Sequence, residues 1–136
     1  ATIEVMQAQA ELLLDNEVLP MQKTFQKPLI LAVAYPSIKG TSKACISDGE
    51  SGCLEWSSLN RPYPDNNSVK IDNIAQEDAY LAMLNAINTR NWVTGFISRG
   101  YFPPVMLQDN SASINGKTTS DLLKYWYPRF LGIINP

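Results

Sequence analysis

Apolar residues recur at three- to four-residue steps at Ile3, Met6, Ala10, Leu13 and Leu14, with Glu, Gln and Asp between them. This period predicts an amphipathic helix over 2–19. Pro20 is expected to kink or restart it, after which MQKTFQ leads into KPLILAVAYPS. The unbroken apolar run after Pro28 predicts a strand buried on both faces, as in a parallel sheet covered by helices. From Ile38 to about Asn73, Gly, Ser, Asn, Pro and Asp dominate and periodicity is lost, which predicts a long loop. A second helix is predicted over DNIAQEDAYLAMLNAINTR, where Ile74, Tyr80, Leu81, Leu84 and Ile87 share a face and Asp72 or Asn73 caps the start. NWVTGFISRG predicts a second strand, and SRGYFPPVMLQDNSASINGK at 98–117 a second long loop. TTSDLLKYWYPRFLG predicts a third helix, with Thr118, Thr119 or Ser120 available as its cap.

The order helix, strand, loop, helix, strand, loop, helix fits consecutive βα units with right-handed crossovers, an α/β fold with parallel strands flanked by helices. Two strands are too few for a free-standing sheet. Their edges are therefore expected to be completed by another segment of the polypeptide or by another chain.

With 136 residues, 45% of them apolar, the chain is long enough for one domain with a sizeable core. Its 11 basic and 13 acidic residues are dispersed and sum to -2, so no basic patch points to nucleic acid or to an anionic membrane. No run of about 18 apolar residues predicts membrane insertion. The sequence starts at Ala1 rather than Met, which suggests a processed, trimmed or excised chain. There is no histidine, which excludes Ser-His-Asp and Cys-His catalysis and the commonest transition-metal ligand. Any chemistry then runs on carboxylates, Lys, Tyr, Ser or Cys. Cys45 and Cys53 bracket CISDGESGC, a polar span with two glycines. They form either a disulfide clip in an exported protein or a pair of free thiols in a cytosolic one; we expect the clip, and an extracellular or secreted location with it. Two such ligands do not make a metal site, and no cofactor motif is present.

In parallel α/β folds the loops leaving the C-terminal ends of the strands build the site. Here these are Tyr35 to Cys53 and Ser98 to Lys117. Tyr35 and Tyr101 stand at strand ends, where an aromatic ring can stack on the apolar face of a ligand. Arg99 directly follows the second strand and offers five donors, either to a ligand or to a buried acid as its ion-pair partner. Asp109 is read either as a ligand-binding or group-orienting acid or as a loop-fixing salt bridge or turn cap, with Arg99 and Lys117 as available partners. Asp48, Glu50 and Glu55 read as solvated loop charges, and Trp92, Tyr125, Trp126 and Tyr127 as packing. Ser37, Ser98, Ser111 and Ser113 lack a base. Asn66 to Ser68 form a glycosylation sequon.

QKPLILAVAYPS, QEDAYLAMLNAI, WVTGFISRGYFPP and GKTTSDLLKYWYPRFLG together resemble the last two βα units of a glycoside hydrolase (β/α)8 TIM barrel, of the retaining clan that includes the family 113 mannanases. The resemblance spans most of residues 2 to 132 and implies a single partial-barrel domain over 1–136, completed by a missing N-terminal segment or partner chain. It implies that the nucleophilic glutamate of the clan falls in line with Val33, or one residue away, where LAVAY carries no carboxylate. The general acid of the clan comes from a fourth strand outside this sequence. Retaining hydrolysis needs two carboxyl groups about 5 Å apart, so the catalytic residues are unknown and the chain is not expected to act alone. The implied function is a wall of a cleft for a polysaccharide or oligosaccharide, with Tyr35, Arg99, Tyr101 and Asp109 as binding residues. Two alternatives are a non-catalytic carbohydrate-binding pseudoenzyme and a structural subunit that oligomerises through open strand edges.

Overall fold

The computed structural model describes residues 1–48, 50–62 and 69–133; the sequon at Asn66 to Ser68 lies outside them. Helix α1 spans Ile3–Leu13 and is capped by Thr2, whose hydroxyl accepts from the Val5 amide at 3.4 Å. A π-helical turn, Leu14–Val18, carries it into α2, Leu19–Phe25. Pro20 thus marks the restart of the helical segment, as expected. It sits in the first turn of α2, where a missing N–H costs little, and the wider turn before it accommodates the ring. Helicity ends at Gln26, which adopts a left-handed conformation with φ of 50°.

Strand β1, Leu29–Val33, pairs in parallel with β2, Val93–Ser98. Leu29 pairs with Val93 and Ile30 with Gly95, so Thr94 is an extra residue in β2. Its hydroxyl donates to the Leu29 carbonyl at 2.8 Å, which holds the irregularity in place. Beyond it, Leu31 pairs with Phe96, Ala32 with Ile97 and Val33 with Ser98. Helix α3, Asn73–Asn88, connects the strands, and α4, Thr118–Phe130, follows the second. The architecture is therefore a two-stranded parallel sheet flanked by helices.

Strand alternation divides the sheet. Leu31, Val33, Val93 and Phe96 pack against a core of Ala10, Leu14, Tyr80, Leu84, Ile87 and Leu123 contributed by the helices. Ile30 and Ile97, on the opposite face, are 61% and 49% exposed. The expectation of a strand buried on both faces is thus corrected: helices cover only one side among the described residues, and the other side is apolar and open. Helix α3 lies at the centre of the helical layer, in contact with α1 and α4. Its start is capped by Asp72, which accepts from the Ala75 amide at 3.0 Å, whereas Ile74, expected on the buried face, is 59% exposed. Helix α4 begins after Lys117 without a side-chain cap, because Thr119 is turned inward to donate to Gln76 Oε1 at 2.9 Å.

The long segment between β1 and α3 is closed at its base. Ile38 bridges Ile71, the Asp72 amide donates to the Ser37 carbonyl at 2.9 Å, and the Lys39 amide to that of Lys70 at 3.3 Å. A disulfide joins Cys45 to Cys53, and a 3-10 turn at Trp56–Leu59 buries Leu59 against the second loop, with the Ala112 amide donating to the Leu59 carbonyl at 2.7 Å. The region lacks sequence periodicity because this order comes from the closed base, the disulfide and one buried leucine rather than from repeated structure.

Candidate functional site

The C-terminal ends of β1 and β2 define the site. The Arg99 amide donates to the Val33 carbonyl at 2.7 Å, which extends the parallel ladder one residue past β2. Arg99 therefore continues the alternation of Ile97, on the open face, and is exposed. Tyr101, two residues on, is 64% exposed. Val33, in contrast, faces the helices and packs on the core. The residues with open-face parity at the end of β1 are Ala32 and its continuation Ala34, and neither carries a carboxylate.

The loop between β2 and α4 is held from beneath by buried polar groups. Lys117 Nζ lies 3.1 Å from Asp109 Oδ2 and donates to Ser37 Oγ and to the Ser111 carbonyl, each at 2.8 Å. The side chains of Lys117 and Asp109 are 5% and 3% exposed. Asp109 Oδ1 accepts from the Ser111 amide at 2.8 Å, and Ser37 Oγ donates to the Asp109 carbonyl at 2.7 Å. Gln76 Nε2 donates to the Tyr35 carbonyl at 2.7 Å, and Ser113 Oγ accepts from the Phe102 amide at 3.4 Å. Both long loops and both helix starts are thus joined in one network. Burial depresses the Lys117 pKa, while Asp109 opposes the depression.

Ser37 and Lys117 superficially resemble a nucleophile and its base. Ser37 is fully buried, however, and the ammonium already faces Ser37 Oγ, the Ser111 carbonyl and Asp109. The geometry is that of a clamp, with no path to Ser37 Oγ for a substrate.

The four residues expected to bind sugar therefore separate into two pairs. Arg99 and Tyr101 lie on the surface at the strand ends. Asp109 is internal, in the loop-fixing ion pair that was the second reading of its sequence position. Tyr35 turns into the helical layer, where its ring stands edge-on to Tyr80 at a centroid distance of 5.1 Å. Burial pushes the Tyr35 phenol up to about 12. The remaining aromatics behave as expected in part: Trp92, Trp126 and Tyr127 pack on the core, while Tyr125 is 54% exposed beneath the Arg129 guanidinium at 3.2 Å.

Around Tyr101 the loop is stiffened and apolar. Asn115 Nδ2 donates to the Phe102 carbonyl at 3.1 Å, Val105 lies over Gly116, and Val105 and Leu107 are 55% and 101% exposed. Gly100, at φ of 113°, brings the chain so close to the second arm of the loop that an added Cβ would meet the Ala112 carbonyl oxygen at 2.7 Å.

Sequence reasoning missed most of the clamp. Gln76 was recoverable, because it shares the α3 face of Tyr80 and Leu84 at helical spacing, where a polar residue signals a buried partner. Nothing in the sequence marks Ser37 or Ser111, whose partners are distant in the chain.

No family model, curated protein or solved structure matches this chain. No helix among the described residues is long and apolar enough to cross a membrane.

Proposed function

We propose that the chain contributes two βα units to a larger parallel sheet, of the (β/α)8 glycoside-hydrolase kind its sequence resembles, and that its C-terminal loops form one wall of a carbohydrate cleft. The observation that carries this reading is the pairing of an open apolar sheet face with an exposed Arg99 and Tyr101 where that face ends. Parallel sheets are normally covered on both faces, and ligands bind beyond the carboxyl ends of their strands. Further strands would cover Ile30 and Ile97 and leave Arg99 and Tyr101 at the rim. Tyr101 then supplies a stacking surface and Arg99 donors for hydroxyls or carboxylates. Asp109 and Lys117 hold the loop in place rather than touching sugar.

The contribution of this chain is binding, since Val33, Ala32 and Ala34 offer no carboxylate for glycosidic cleavage. An extracellular site of action accords with the Cys45–Cys53 disulfide. The test is calorimetric titration of the natural full-length protein against a panel of polysaccharides and oligosaccharides, with Arg99→Ala and Tyr101→Ala alongside. Saturable binding of at least one saccharide, weakened roughly tenfold by Tyr101→Ala, is expected, as loss of about 1.4 kcal/mol of stacking would give. Failure to bind any saccharide, or binding indifferent to both substitutions, rejects the reading.

A further inference from the structure

Two adjoining cavities lie between α1, α3 and the segment after β1. The outer one, about 650 Å³, is lined by Lys39, Lys43 and Lys70 together with Ser42, Asp72 and Asp78. The inner one, about 250 Å³, is floored by Ala10, Ala79, Ala82 and Met83 and flanked by Leu13. Met6 and Ser42 line both, so the two lie side by side. The outer volume lies in the range of about 300–1,000 Å³ common for small-molecule sites.

The fold assembles the charged mouth deliberately. Pairing of Ile38 with Ile71, and of the Lys39 amide with the Lys70 carbonyl at 3.3 Å, sets Lys39 and Lys70 on adjacent arms. Gly40, at φ of 83°, then turns the chain so that the Lys43 stem lies across it, with a Cβ there only 3.3 Å from Lys43 Cδ. Asp72, which caps α3, and Asp78 offset part of this charge, and three ammonium groups against two carboxylates leave the mouth with one positive charge in excess. Inside the mouth, three alanines on facing helices leave a groove where larger side chains would have closed it. Ala79, Ala82 and Met83 are each 5% exposed or less, so the floor is part of the packed core and is pre-formed.

A cationic mouth that opens onto a narrow apolar groove is complementary to one kind of ligand. We propose that this site binds a single-chain anionic amphiphile, with its carboxylate or other anionic head at Lys39, Lys43 and Lys70 and its alkyl chain between α1 and α3. Tyr35 also lines the inner cavity, but the inference stands apart from Arg99 and Tyr101, on which the carbohydrate reading rests. A free monomeric amphiphile is specified, because the groove admits one chain and lies between helices rather than on a flat surface.

Titration calorimetry of the full chain with decanoate, decanol and inorganic phosphate tests it, with phosphatidylglycerol vesicles as a fourth arm. Decanoate should bind saturably, and decanol and phosphate at least about tenfold more weakly, because each supplies only half of the contacts. Lys39→Glu/Lys43→Glu/Lys70→Glu should weaken decanoate at least about tenfold through charge reversal at exposed positions, with the urea midpoint measured alongside to show that the fold is kept. Ser42→Trp, also at an exposed position, should block passage between the cavities and weaken decanoate without weakening phosphate. Phosphate binding as tight as decanoate, decanoate binding unchanged in both variants, or vesicle binding that outcompetes decanoate would each overturn the proposal.

Discussion

The Lys117–Asp109 pair yields the sharpest quantitative expectation. Lys117→Met keeps an unbranched side chain of similar volume but removes the charge. The Asp109 carboxylate then remains 3% exposed and retains the Ser111 amide, 2.8 Å from Oδ1, as a hydrogen-bond donor. At 3.1 Å and an effective dielectric constant of about 20, the lost attraction is about 5 kcal/mol. This agrees with the 3–5 kcal/mol typical of breaking a buried pair on one side only, roughly. Urea denaturation should show the midpoint falling accordingly at unchanged slope. Asp109→Asn, added to Lys117→Met, removes the stranded charge yet keeps an Oδ1 acceptor for the Ser111 amide. The double variant should recover about 2 kcal/mol relative to Lys117→Met alone. A loss below about 1 kcal/mol in the single variant, the value of a surface pair, would refute the clamp. So would a double variant whose loss equals the sum of the two single losses.

Three further outcomes follow from the same structure. Gly100→Ala should cost about 1–3 kcal/mol in thermal denaturation, because φ of 113° is unfavourable for a side chain and the Ala112 carbonyl blocks the space. Stability should fall as pH rises from 10.0 toward about 12, since Tyr35 ionises near 10.0 when unfolded but holds its proton to about 12 when folded. Tyr35→Phe should flatten that decline without abolishing it, because burial raises the Tyr80 phenol as well. Replacing Cys45 and Cys53 by Ser should cost at most about 2.5 kcal/mol in urea, the loop-closure value for a separation of 8 residues.

The sequence was most informative where a single period governed an element. The α3 face of Tyr80, Leu84 and Ile87, the Asp72 cap and the two short parallel strands were legible from spacing and capping chemistry. The restart at Pro20 was legible too, because a proline fits the first turn of a helix, whereas the π-helical turn before it leaves no mark in the spacing. The apolar run of β1 predicted two covered faces, but composition alone does not show whether the second cover belongs to this chain. At the candidate site, Arg99 and Tyr101 were placed by their position after β2. Asp109 was placed in the right loop, yet its inward turn depends on Lys117 and Ser37, 8 and 72 residues away respectively. Tyr35 follows the strand end as expected, but the adjoining Tyr80 ring draws it into the helical layer.

The central claim is that the open face of the sheet is covered by further strands. Replacing Ile30 and Ile97 together by Lys places two charges on that face, where the native side chains are 61% and 49% exposed in this chain. The decisive measurement is the urea midpoint of the natural full-length protein with and without Ile30→Lys/Ile97→Lys. A covered face predicts a loss of at least about 3 kcal/mol, as two unpaired charges are buried. A change within about 0.5 kcal/mol, typical of solvent-facing positions, would show that the face is open to water and contradict the account.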